Sequence, residues 1–126
     1  GDVYKRQGLD NPPIFVPSVA RYKQGMIVQV PIYLSKNLGV VSSPHEIHNI
    51  LSQHYDGSEF IIVNPLDTTQ GLVEISPEKH NHSNMLEINV FSNKAQTQCL
   101  LTATFDNLGK GASRAAIQSI SLMLDL

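Results

Sequence analysis

The order of elements along the chain predicts an α+β domain: a mixed, largely antiparallel sheet with helices on one face. Three observations carry this. Apolar residues alternate over 26–34, a capped amphipathic helix opens at Ser43, and two β-rich stretches over 86–90 and 97–105 lie close enough for a hairpin. At 126 residues the chain is the size of one domain. With 41% hydrophobic and 16% charged residues it falls within globular averages, so it is expected to fold.

Taken in order, the opening run Gly1 to Gln7 shows no periodicity and reads as a junction, with residues 1–11 as a lead and the natural chain expected to begin further upstream. Pro12, Pro13 and Pro17 hold the backbone extended, because each fixes its own φ and disfavours helix in the residue before it. Met26, Val28, Val30, Ile32 and Leu34 then share one face of a strand, and Pro31, which lacks a ladder donor, sends that strand to an edge or to a bulge. Ser43-Pro44-His45-Glu46 is a helix start: a capping hydroxyl, proline at the first position and glutamate three residues on. Ile47, Ile50 and Leu51 supply the apolar stripe and Asp56-Gly57 the stop.

Residues 60–63 make a short apolar strand, and 66–84 a long polar connection with one short strand expected around Leu72 to Ile75. Leu86, Ile88 and Val90 alternate with Glu87 and Asn89, the chain turns at Ser92-Asn93-Lys94, and 97–105 runs back antiparallel. A glycine-rich loop, Asn107-Leu108-Gly109-Lys110-Gly111, leads into a last helix from about Ala112 to Leu124, with Ala116, Ile117, Ile120, Met123 and Leu124 along one side.

Charge and composition exclude several functions. The net charge is −2 with no cluster of Lys or Arg, so neither nucleic acid nor an anionic membrane surface is an expected partner. No apolar run exceeds the four residues 60–63, which leaves no spanning helix, and a cytoplasmic location is expected. The single Cys99 sits in mid-strand with no adjacent cation and reads as a small core residue rather than a nucleophile. Five histidines invite a metal reading, with His45 and His48 on one helix side and His80 and His82 in a polar loop. No third ligand stands at a recognisable spacing, so solvated histidines are the expectation and no metal site is assigned. The loop 107–111 is the strongest local feature, since glycines permit close approach, amides at a helix start attract anions or carboxamide oxygens, and Lys110 adds charge. It is neither a P-loop nor a dinucleotide fingerprint, and a tight turn accounts for the same residues equally well.

Phe15-Val16-Pro17-Ser18-Val19, the run 24–31, the strand 86–91, and above all Asp106 to Ser113 with Ala115-Ala116-Ile117-Gln118 and Leu122-Met123-Leu124 resemble, in that order, the C-terminal part of N-acetyl-gamma-glutamyl-phosphate reductase. The last of these recurs in aspartate-semialdehyde dehydrogenases. The resemblance implies a substrate and dimerisation domain over 12–106, with the fold of the C-terminal domains of semialdehyde and glyceraldehyde phosphate dehydrogenases. Residues 107–126 would then be a loop and helix that pack on a separate dinucleotide-binding domain. It implies NADP as cofactor, held mainly by that other domain, and a small-molecule substrate and a homo-oligomer joined through the sheet as partners. Asn107, Leu108, Gly109, Lys110 and Gly111 would face the nicotinamide end.

In the family a thiolate attacks an acyl phosphate and hydride reduces the thioester to N-acetylglutamate semialdehyde, but its cysteine and histidine lie upstream of the matched region. No catalytic residue is therefore assigned here, and this chain alone is expected to be inactive. Arg114 stands where the family has a glycine, His82-Ser83-Asn84 where Gly-Thr-Asn is usual, Ala20 for a glycine, and Ser119 and Ser121 for asparagines. A long side chain at Arg114 is expected either to crowd the cofactor or to swing into solvent. Without a covering domain Ile117, Ile120 and Leu124 would lie open, so deletion from Lys110 onward is expected to improve solubility. The alternative is a stand-alone, non-catalytic dimerisation or binding module of the same fold.

Overall fold

The computed structural model describes residues 14–34, 43–66 and 74–124. Four strands form one sheet in the order β1-β4-β3-β2: β1 (Met26–Tyr33), β2 (Ile61–Val63), β3 (Leu86–Ser92) and β4 (Gln98–Phe105). Both β1 and β3 run antiparallel to β4, and β2 runs parallel to β3. This is the mixed, largely antiparallel sheet the sequence predicts. Pro31 sits in the outermost strand opposite Leu100, where its missing N–H breaks no second ladder. The hairpin turn is closed by the Asn93 side chain, whose Oδ1 accepts from the Thr97 and Gln98 amides at 2.9 and 3.2 Å.

Helix α1 (Pro44–His54) begins as its capping sequence requires, with the Ser43 hydroxyl accepting from the Glu46 amide at 3.1 Å. It packs on β3 and β2. Ile47 and Leu66 join Val90 and Cys99 in the buried cluster, and Ile32, Leu34, Leu51 and Leu101 pack against it. The register explains the grouping: Val90 pairs with Leu101 and Ile32 with Cys99, so one alternating set from three strands meets the helix. Ile50, expected in the stripe, is half exposed; it falls beyond the edge of the contact. Met26, Val28 and Val30 lie on the same sheet face as the core but outside the helix's cover, and each keeps about two fifths of its surface open.

On the opposite face, part of β3 and β4 is polar and still buried: Glu87, Asn89, Thr102 and Thr104 are all under 5% exposed. Asn64 Nδ2 donates to Asn89 Oδ1 at 2.8 Å, and the loop 74–84 lays Lys79 and His80 on Glu87. Of the strand expected around Leu72 to Ile75, Leu72 and Val73 lie outside the described residues, while Glu74 and Ile75 have irregular backbone. The lead 1–11 also lies outside them. After β4 the chain makes a wide turn over Gly109–Ser113 that is kinked at Ala112 (φ −145°, ψ −107°) before α2 (Arg114–Leu124), so regular helix starts two residues later than the sequence predicts. No residue of α2 is buried.

Candidate functional site

The loop after β4 is organised around one carboxylate. Asp106 follows the last strand residue and is 1% exposed. Its Oδ1 accepts from the Leu108 and Gly109 amides, both at 2.9 Å, which is the turn an aspartate makes with the backbone two and three residues on. Its Oδ2 accepts from Gln24 Nε2 at 2.6 Å and from the His82 amide at 2.8 Å. Its backbone carbonyl accepts from the Gly111 amide at 2.8 Å. Burial alone would push this carboxyl up. Hydrogen bonds from the Gly109 and His82 amides, the Gln24 side chain and the Leu108 amide outweigh it and hold the group below the usual carboxylate range.

Three segments thereby meet: the approach to β1, the loop 74–84 and the loop 106–114. Asn107 Oδ1 accepts from the Gly25 amide at 2.8 Å, and Asn81 Nδ2 donates to the Gln24 carbonyl at 3.1 Å. Gly25 has φ +110°, and a side chain there would lie 2.8 Å from the Pro77 carbonyl carbon, so only glycine fits. His82 holds φ +63°, a left-handed conformation that a side chain disfavours.

All five loop residues singled out from the sequence lie in this turn, but the amides expected to be open are engaged. Leu108, Gly109 and Gly111 all donate to Asp106. Leu108 presents its side chain at the crest of the loop, 52% exposed, and Gly109 is buried beneath it. Lys110 does not point from the loop as a free charge. Its Nζ donates to Gln118 Oε1 at 2.7 Å and sits 5.8 Å from the centre of the Phe60 ring. The Arg114 guanidinium turns back along the loop and donates to the His82 carbonyl.

The remaining candidates are placed as follows. Cys99 is 4% exposed within the core, and burial pushes its thiol up, away from thiolate chemistry. His48 Nε2 lies 3.4 Å from Ser52 Oγ, and His54 meets the Tyr55 ring edge-on. His80 Nε2 lies 3.0 Å from Glu87 Oε2, which also accepts from Lys79 Nζ at 2.5 Å. Burial would raise Glu87, but these two hydrogen bonds and the nearby charges prevail and lower it. Among the described residues, no three His, Cys, Asp or Glu side chains come together as a metal would require, and no helix is long and apolar enough to cross a membrane.

Comparison with known proteins places this geometry in a family. Residues 2–107 match the model of the semialdehyde dehydrogenase, dimerisation domain. An N-acetyl-gamma-glutamyl-phosphate reductase of Burkholderia lata is 40% identical over 123 residues, 98% of this chain and 39% of the relative. N-acetyl-gamma-glutamyl-phosphate reductase 2 of Pseudomonas putida is 40% identical over the same length, and the reductase of Brucella ovis is 43% identical over 116 residues. The chain thus spans about two fifths of the length of these curated relatives. The α+β sheet, its register and the match over most of the sequence together show that the chain belongs to the semialdehyde dehydrogenase dimerisation-domain family.

Proposed function

We propose that this chain is the C-terminal, substrate-walling and subunit-pairing part of an NADPH-dependent reductase that converts N-acetylglutamyl phosphate to N-acetylglutamate semialdehyde in arginine biosynthesis. The observation that carries the reading is near-continuous similarity, 98% of this chain, to only 39% of a reductase. Helix α2 supports it. Ile117, Ile120 and Leu124 each keep more than half their surface open, and covering what remains would contribute roughly 1–2 kcal/mol each. A helix left in that state is one half of an interface, and a dinucleotide-binding domain is the partner this reading gives it.

Residues 107–111 fit the nicotinamide end of NADP. Leu108 offers open apolar surface for a flat ring. Asn107, with Oδ1 held by Gly25, keeps its Nδ2 as a donor for a carboxamide oxygen, and no carboxylate of the loop is open, since Asp106 is buried and fully engaged. Bound NADPH would supply the hydride. This chain's residues orient and shield: the Asp106 bonds fix the loop before any ligand arrives, so little ordering remains on binding. The nucleophile and the proton donor are assigned to the other part of the protein, because Cys99 is a core residue and the histidines sit in structural contacts or at the surface.

The test is the mass of the natural polypeptide that contains this sequence. A chain well over twice 13.9 kDa, carrying a glycine-rich nucleotide loop and a later Gly-Cys loop, agrees with the proposal. A natural product of about the present mass, dimeric and unable to bind NADPH, would replace it with the stand-alone module.

A further inference from the structure

Arg114 and Asp106 flank the loop 107–113 and take hold of the same peptide residue from opposite sides. The Asp106 carboxylate accepts the His82 N–H at 2.8 Å, and the Arg114 guanidinium donates to the His82 carbonyl. The two side chains pass over Gly109. A Cβ on that glycine would lie 2.6 Å from Asp106 Oδ2 and 3.1 Å from Arg114 Cδ, so the crossing exists only because residue 109 has no side chain. The peptide they hold is itself unusual, with His82 at φ +63°.

We propose that Arg114 is a positioning residue: with Asp106 it forms a clasp on His82, across Gly109, that fixes the conformation of residues 107–111. The idea rests on the reading of that loop as the cofactor-facing segment, but the clasp itself is a property of this chain alone. A non-glycine residue in the left-handed region is strained, and a charge-assisted bond to its carbonyl offsets that strain. The bond turns the Arg114 guanidinium toward His82. The loop's crest at Leu108 stays open.

The experiment is amide hydrogen exchange, read residue by residue by NMR on the 126-residue chain and on its Arg114→Ala and Arg114→Lys variants. Arg114 lies in the first turn of an exposed helix, so both variants are expected to fold, with Val90 and Thr102 exchanging as in the parent. In Arg114→Ala the His82, Leu108 and Gly109 amides should exchange about tenfold faster, the scale of one lost charge-assisted bond. Arg114→Lys should recover part of that protection. A third variant, Arg114→Ala with His82→Gly, should return the Leu108 and Gly109 amides most of the way to parent rates, because the strain the clasp restrains is gone. Exchange at these three amides unchanged in Arg114→Ala, or no recovery in the double variant, overturns the clasp. Neither result bears on NADPH, so a failure here is separate from a failure of the proposed function.

Discussion

Replacing Asp106 by asparagine tests the organisation of the loop with almost no change of shape. The amide keeps one oxygen for the Leu108 and Gly109 N–H groups but sets an NH2 against the two donors now served by Oδ2, Gln24 Nε2 and the His82 N–H. Gln24 is partly exposed and can turn its own amide over to accept. The His82 N–H belongs to the backbone and cannot, which leaves one donor facing another at a cost of about 1–3 kcal/mol. Loss of charge from the two surviving bonds adds about 1 kcal/mol. The sum, about 2–4 kcal/mol, is a large share of the 5–15 kcal/mol typical of a domain, and corresponds to a fall in Tm of roughly 8–15 °C. The sign of the pH effect follows from the depressed carboxyl. Because the folded group titrates below the unfolded one, its contribution is complete at neutral pH and is lost as pH falls below about 4. Urea unfolding followed by circular dichroism at about pH 7 and about pH 3 should show a gap between parent and Asp106→Asn that is wide at the first and narrow at the second. A variant as stable as the parent at neutral pH, or a gap that does not close with acid, would refute the reasoning.

Gly25→Ala should cost at least about 2 kcal/mol and loosen the approach to β1, since its φ of +110° and the Pro77 carbonyl both exclude a side chain; an ordinary urea midpoint would contradict this. His82→Gly should be neutral or stabilising by up to about 1 kcal/mol, because relief of the left-handed strain outweighs the added chain entropy; a loss above that size in the same assay would be the wrong sign. Deletion from Lys110 onward would remove the Gly111 amide and Arg114 from the Asp106 hub, so the safer way to raise solubility is Ile120→Ser with Leu124→Ser. Light scattering should show less association for that pair, with the unfolding midpoint within about 0.5 kcal/mol of the parent. Val90→Ala, at a side chain with no exposure, should cost about 2 kcal/mol by leaving a cavity under α1, read from the same urea curves.

Local signals in the sequence were sufficient wherever a residue acts on its own neighbours. Ser43 to Glu46 specified a capped start, Pro31 an edge position or a bulge, of which the structure has the edge, and the alternation at 86–90 a hairpin partner for 97–105. The polar face escaped notice because Glu87, Asn89, Thr102 and Thr104 look like solvent-facing alternates until the register pairs them and a loop 74–84 with no periodicity closes over them. The same limit applied at the site. Residues 107–111 stood out by composition, but the partners that shape them are Gln24 and His82, 82 and 24 positions away from Asp106, and no spacing rule reaches that far. Aspartate followed two and three residues later by Leu108 and Gly109 was the one signal available for the hub, since it is the pattern of a side chain turning back on its own backbone. The path of the Arg114 side chain is not legible in the sequence, because it depends on the space that Gly109 leaves open beside it.

The most direct test of the functional account is hydride transfer by the complete natural protein that carries this sequence, run in reverse for convenience: N-acetylglutamate semialdehyde and NADP, with inorganic phosphate added or withheld. The account predicts phosphate-dependent formation of NADPH by the complete protein and none by the present 126 residues alone. A natural protein that binds neither nucleotide nor semialdehyde, or that forms NADPH at the same rate without phosphate, would contradict it.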